Sequence, residues 1–187
     1  MQQAAEFISA DRIAARVHEL ALQIRADHGE ADLLVVGILK GCTFFLADLS
    51  RALGEPQELD FVRVRSYHGG VQSSGVVQVV KDSEISFEGR HVLLVEDIVD
   101  TGRTLEHLLH LFQARRPRSL DIACFLDKPS AREVQVPVRY VGFEVGSEFV
   151  VGYGLDFAEH YRSLPYVATL SESSSHSSPL KGGSPRL

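Results

Sequence analysis

Three acids fall within five residues at Glu96, Asp97 and Asp100, and Thr101-Gly102-Arg103-Thr104 follows at once. The residues just before them, Val92-Leu93-Leu94-Val95, are apolar throughout. The order is therefore a buried strand, paired carboxylates, a hydroxyl-rich turn and the start of a helix. A plain structural account has Asp100 or Thr101 capping that helix and Glu96-Asp97 solvated at a strand end. Capping alone does not require Thr-Gly-Arg-Thr as well. Backbone N–H groups at a helix start, two threonine hydroxyls and a glycine that permits close approach make a cradle for phosphate. Adjacent carboxylates can accept hydrogen bonds from sugar hydroxyls, so the run as a whole suits a phosphorylated sugar.

Elements with two different periods must hold this run in place. Ile13, Val17, Leu20, Ala21 and Ile24 share one helical face, with Ser9 or Asp11 available as the cap. Leu33 to Leu39 is a continuously apolar strand, the turn Lys40-Gly41-Cys42 follows, and a second helix begins at Thr43 with Phe45, Leu49, Ala52 and Leu53 inside. Asp60 to Arg65 alternates as a half-exposed strand and Val76 to Val80 reads as its return. The polar, glycine-containing loop between them, Ser66 to Gly75, is long for a hairpin and reads as a functional flap. His91 to Val95 is a buried strand, and the helix after the acidic run carries Leu105, Leu108, Leu109 and Phe112 on its inner face. Ser119 to Leu126, Val138 to Phe143 and Phe149 to Gly152 supply further strands. Buried strands alternating with helices predict an α/β fold with a mainly parallel sheet, and such sheets bind ligands beyond the carboxyl ends of their strands.

Composition narrows the function classes. A chain of 187 residues makes one domain, with 44% hydrophobic and 24% charged content typical of a water-soluble protein. No run of about eighteen apolar residues exists to cross a bilayer. The first twenty residues lack the pattern of a secretory signal, which predicts a cytoplasmic protein. Cys42 and Cys124 sit in apolar stretches without metal or disulfide spacing and read as buried free thiols. His107 and His110, three apart on one helix, read as an exposed face. The formal charge of -6 opposes non-specific attraction to nucleic acid. Residues 171–187, rich in Ser, Gly and Pro, read as a disordered tail, leaving 1–170 as the folded domain.

The run from Val92 to Thr104 resembles the phosphoribosyl-pyrophosphate (PRPP) signature of the type I phosphoribosyltransferases. Leu39-Lys40-Gly41, Arg65-Ser66-Tyr67, Leu126-Asp127-Lys128-Pro129 and the stretch Phe149 to Asp156 extend the likeness over about residues 8 to 170, toward the hypoxanthine phosphoribosyltransferases. The resemblance implies the type I phosphoribosyltransferase fold: a twisted, mainly parallel sheet flanked by helices, a small hood from about residues 1–20 and 140–170, and a flexible lid loop. It implies transfer of the phosphoribosyl group from PRPP to N9 of hypoxanthine or guanine, giving IMP or GMP and pyrophosphate in purine salvage. It also implies Mg2+ as cofactor and a homodimer or homotetramer, with neither nucleic acid nor membrane as partner. The alternatives are xanthine-guanine transfer and a nucleotide-sensing or RNA-binding regulator on the same fold.

By the same resemblance each site residue has a role. Lys40, Gly41, Glu96, Asp97, Asp100, Thr101, Gly102, Arg103, Thr104 and Arg162 bind PRPP. Asp100 is the general base placed at N7 of the purine. A buried position beside other acids is what would raise its affinity for a proton. Lys128, Phe149, Val150 and Asp156 line the purine, Lys128 facing O6 and Phe149 stacking on the ring. Glu96, Asp97 and Asp156 are the metal ligands. Ser66 and Tyr67 start the lid, and the turn at Lys40-Gly41 is expected to carry an unusual, cis-type peptide.

Overall fold

The computed structural model describes residues 4–29, 31–54, 57–66 and 77–170. In chain order the elements are β1 (Ala4–Ile8), α1 (Ala10–His28), β2 (Leu33–Leu39), α2 (Thr43–Leu53), β3 (Gln57–Ser66), β4 (Val77–Lys81), β5 (His91–Val99), α3 (Arg103–Gln113), β6 (Ser119–Asp127), β7 (Tyr140–Glu144), β8 (Val150–Val151) and β9 (Val167–Leu170). Six strands form the central sheet in the order β4-β3-β2-β5-β6-β7. All neighbours in it are parallel except β4, which runs antiparallel to β3 at the edge.

Strand β2 is apolar at every position because both of its faces are covered. Leu33 and Val35 join a core with α1 and α2, while Leu34, Val36 and Ile38 join another with Leu105, Leu108 and Phe112 of α3. On α1 the buried face is Ile13, Val17, Leu20, Ala21 and Ile24, and Ser9 caps the helix by accepting the N–H of Arg12. On α3, Leu105, Leu108 and Phe112 are buried and Leu109 is partly so. Cys42 and Cys124 are buried free thiols, and His107 and His110 lie exposed, as expected.

The chain leaves β2 through α2 toward β3 on one side, and leaves β5 through α3 toward β6 on the other. Adjacent strands whose crossovers diverge open a crevice at their carboxyl ends. Lys40-Gly41 and the acidic run emerge there. Strand β5 runs four residues past the expected Val95, because Ile98 and Val99 continue the ladder against Leu126 and Asp127. Glu96 and Asp97 therefore belong to the strand, with its rigidity, and not to the turn.

A second, three-stranded antiparallel sheet in the order β1-β9-β8 covers one side. Of the segments expected in the hood, Ala4–Ile8 and residues 150–170 contribute its strands. Helix α1 instead lies against α2 and β7, where Arg16 donates to the carbonyls of Gly142 at 2.9 Å and Val141 at 2.8 Å. Strand β7 belongs to the central sheet. The lid expectation falls on Tyr67 and its loop, which lie outside the described residues, as does the tail 171–187. Ser66 closes β3 opposite Val77.

Candidate active site

Three segments of backbone meet at the end of β2. A Cβ placed on Gly41 would lie 1.6 Å from Asp97 Oδ2, and one on Gly154 would lie 1.9 Å from the Gly41 carbonyl oxygen. Gly154 also has φ +103°, which disfavours any side chain. Glycine at both positions lets β2, β5 and the loop after β8 touch directly. The cis peptide in this turn is Leu39–Lys40, one bond before the Lys40-Gly41 peptide singled out in the sequence. Thr43 fixes the Lys40 carbonyl, donating its hydroxyl at 2.6 Å and its N–H at 3.2 Å.

Burial separates the three acids. Glu96 Oε2 is sealed from solvent without a hydrogen-bond partner among the described residues. Burial first, and then the charge of Asp97, pushes Glu96 well above the usual carboxylate range. Burial also pushes Asp97 up to about 6, against the opposing pull of N–H bonds from Ile98 and from Asp97 itself and of the nearby Arg162 charge. Asp100 is exposed. The burial expected around the general base therefore falls on Glu96 and Asp97. Both lie inside β5, Asp97 against the turn at Gly41, whereas Asp100 lies past the strand end.

The turn that follows is not capped by a side chain. Gly102 occupies the N-cap of α3 with φ +86° and no side-chain capping bond, and Thr101 Oγ1 receives the N–H of Arg103 at a long 3.4 Å. Asp100 therefore makes no capping bond, and Thr101 reaches only the first N–H of the helix, at long range. Residues 128–134 hold the turn from behind. Lys128 N–H donates to the Val99 carbonyl at 2.9 Å, and the N–H groups of Glu133 and Val134 donate to the Thr101 carbonyl at 2.9 and 3.0 Å. Arg103 pairs with Glu133 at 2.6 Å.

Lys128 Nζ donates to the Glu148 carbonyl at 2.8 Å, which ties this lysine to the residue before Phe149. Phe149 is 52% exposed and Phe157 45%, the two rings meeting edge to face at 5.6 Å. An aromatic that presents half its surface in this way is not core, whereas Val150 is buried in β8. Asp156 pairs with Arg162 at 2.6 Å and accepts the Glu159 N–H at 2.8 Å. Arg162 also donates to the Gly154 carbonyl at 2.7 Å. Glu159 reaches Lys40 at 3.0 Å, and this ammonium holds its carboxyl below the usual range. Lys40, Gly41, Asp97, Asp156 and Arg162 are thus brought together, with Glu96 beside them on β5 and the turn Asp100 to Thr104 beyond its end. Ser66 ends β3, the strand beside β2 and next to the β4 edge of the sheet.

The sequence reading missed Thr43, Arg132, Phe157 and Glu159. Phe157 and Glu159 had one available signal, their position inside the short interval between Asp156 and Arg162.

The chain is similar to known proteins over most of its length. The model of the phosphoribosyl transferase domain matches residues 4–158. The bifunctional protein TilS/HprT of Listeria innocua serovar 6a is 47% identical over 163 residues, 87% of this chain and 25% of that protein. The chain thus spans about a quarter of the length of that relative. A hypoxanthine-guanine phosphoribosyltransferase of Streptococcus pyogenes serotype M3 is 43% identical over 164 residues, 88% of this chain and 91% of the relative. A hypoxanthine phosphoribosyltransferase structure from Staphylococcus aureus superposes with TM-score 0.85 at 42% identity, covering 89% of this chain and 91% of that one. With the domain model spanning most of the chain and these relatives aligned along nearly all of it, the chain belongs to the phosphoribosyl transferase domain family.

Proposed function

We propose that this chain transfers the 5-phosphoribosyl group of PRPP to N9 of hypoxanthine or guanine, releasing pyrophosphate and forming IMP or GMP. The carrying observation is the Gly41–Asp97–Gly154 junction. It sets two cations, Lys40 and Arg162, and two carboxylates, Asp97 and Asp156, beside a helix N-terminus whose turn contains two threonines. Relatives that match along nearly their whole length bear the name of this activity.

Cleaving the bond from the anomeric carbon to pyrophosphate builds positive charge on the ribose and negative charge on the leaving group. Lys40 and Arg162 meet the negative side, the guanidinium in the forked manner that suits phosphate. Glu96 and Asp97, both half-buried, meet the ribose hydroxyls with the part of each carboxylate that stays open. The N–H groups and hydroxyls of Asp100 to Thr104 hold the 5-phosphate. On the other side Phe149 stacks on the purine, main-chain groups at Val150 reach its edge, and Lys128 donates to O6. A cation cannot accept a proton from a 6-amino group, so Lys128 excludes adenine. Asp100, exposed at the strand end, accepts the N7 proton as N9 bonds to the ribose.

The acids suit Mg2+. Asp156 is close enough to Asp97 for its charge to disfavour ionisation there, and Glu96 has an oxygen free of protein partners. Magnesium commonly takes one or two protein carboxylates and completes its shell with substrate oxygens and water. Glu96, Asp97 and Asp156 would hold it, and when bound it would neutralise charge on the departing pyrophosphate. A homodimer or homotetramer in the cytoplasm completes the proposal. Among the described residues no helix is long and apolar enough to cross a membrane.

The test is pyrophosphate release from PRPP and Mg2+ with hypoxanthine, guanine, xanthine and adenine offered singly. Turnover of hypoxanthine or guanine with adenine inert supports the proposal. Xanthine as the preferred base moves it to xanthine-guanine transfer. Silence with every base in folded protein overturns it.

A further inference from the structure

Arg132 belongs to none of the roles above, yet its side chain is only 7% exposed and its guanidinium joins two different elements. One arm pairs with the Asp127 carboxylate, itself 13% exposed, at the end of β6. The other, Nη1, donates to the main-chain carbonyl of Asp100 at 2.7 Å. Its Cδ also lies against Gly102, where a Cβ would sit 3.1 Å away. Asp127 is directly opposite Val99 in the β5–β6 ladder. The guanidinium thus braces the first residue beyond β5 against a fixed point in the sheet.

Neighbouring residues complete a clamp. The Thr101 carbonyl takes two N–H groups from residues 133 and 134, and a Cβ on Gly102 would lie 2.5 Å from the Val134 carbonyl oxygen. In a planar trans peptide the C=O of one residue and the N–H of the next point in opposite directions. Pulling the carbonyls of Asp100 and Thr101 back toward 132–134 therefore turns the N–H groups of Thr101 and Gly102 the other way, into the turn that opens α3. Donors set in advance stabilise an anion without reorganising when it arrives.

We propose that Arg132 is a positioning residue, which through Asp127 and the Asp100 carbonyl pre-orients the N–H groups that receive the 5-phosphate. The inference rests on the PRPP reading above. It places Arg132 outside contact with substrate and apart from the pyrophosphate side, where Lys40 and Arg162 act.

The experiment uses R132K and D127N in the full chain. R132K keeps a cation against Asp127 and so avoids an uncompensated buried carboxylate, but one ammonium cannot reproduce the two-armed fork. D127N releases the anchor and leaves the Asp100 contact in place, and it carries the test if R132K does not fold. PRPP and pyrophosphate binding are measured by calorimetry with Mg2+, and amide exchange at Glu133 and Val134 by hydrogen-deuterium exchange without ligand. Loss of one charge-assisted hydrogen bond predicts about tenfold weaker PRPP binding in R132K, with pyrophosphate affinity changed by less than about twofold. Exchange at Glu133 and Val134, whose N–H groups hold the Thr101 carbonyl, should quicken about tenfold while that at Tyr153 and Gly154 stays unchanged. A smaller effect in the same direction is expected for D127N. Folded variants with parental PRPP affinity and exchange overturn the inference, and so does an equal loss of PRPP and pyrophosphate affinity. If the parent protein neither binds nor turns over PRPP, the functional proposal falls, and the exchange rates still decide whether Arg132 braces the turn at Asp100 and Thr101.

Discussion

Gly41→Ala is a one-methyl change aimed at the point where three segments touch. The added carbon would fall 1.6 Å from Asp97 Oδ2 and 2.3 Å from its Cγ, so the carboxylate must recede by more than an ångström. It is poorly free to do so, because N–H groups of Ile98 and of Asp97 itself hold it. Gly41 cannot retreat either, since Gly154 already stands against its carbonyl. Overpacking of this kind costs about 1–3 kcal/mol. At roughly 2–4 °C per kcal/mol for a chain of this size, Tm should fall by about 2–12 °C. Moving a group at the reacting centre by about 1 Å is worth about 100-fold in rate, so kcat/KM for PRPP should drop by at least that factor. Gly29→Ala is the matched control. Gly29 has φ +60° at the end of α1 with nothing within 4 Å of an added Cβ, so it bears a left-handed strain of about 1–2 kcal/mol and no displacement of the site. Thermal melts and initial rates with hypoxanthine compare the two variants. Parental kcat/KM in Gly41→Ala would refute the argument that backbone contact at Gly41 sets the position of Asp97.

Asp100→Asn should retain PRPP binding and lose about 10²–10⁴-fold in kcat, because Arg132 grips the main-chain carbonyl and the turn survives the change. Calorimetry beside single-turnover rates checks this, and unchanged kcat would remove Asp100 as the base. Lys128→Ala should raise the ratio of adenine to hypoxanthine kcat/KM by about tenfold or more, read from initial rates with each base. Asp60→Asn tests a site away from the chemistry. Burial raises the Asp60 pKa, but bonds from the Ser83 hydroxyl and the N–H groups of Phe61, Ile85 and Glu84 outweigh it and hold the carboxyl below its usual range. Its stabilisation is thus present above the unfolded carboxylate value near 4 and is lost as pH falls through the lower folded value. Denaturation with urea should show the variant about 1.5–3 kcal/mol less stable at pH 7, the deficit shrinking as the pH is lowered through that range. A deficit that does not change with pH would contradict the account.

Much of the central sheet can be read along the chain because its signals are local. Leu33 to Leu39 is apolar at every position since helices cover both faces, and the buried face of α1 follows its 3.6-residue period. The turn from Asp100 to Thr104 is also local, a contiguous run whose residue types state their chemistry. Strands β1 and β9 were not readable in this way. Ala4 pairs with Leu170, and no short-range pattern announces a partner that far along the chain. Glu96, Asp97 and Asp100 look equivalent as letters, yet the first two are half-buried in β5, Asp97 against the Gly41 turn, while Asp100 stands in solvent.

The same division runs through the site. Lys40, Asp156 and Arg162 are separate charges in the sequence, and they become one group because Gly41 and Gly154 let their loops touch, with Glu159 bridging Lys40 to Arg162. Arg132 carries no motif of its own, and its importance comes from reaching both Asp127 and the Asp100 carbonyl. Residue type and spacing determined most central strands, the helical faces and the turn from Asp100 to Thr104, because hydrophobic period and local hydrogen bonding act over a few residues. Tertiary structure decided which acids are desolvated, which charges meet and which side chain braces the turn, because desolvation and ion pairing depend on distances between segments remote in the chain.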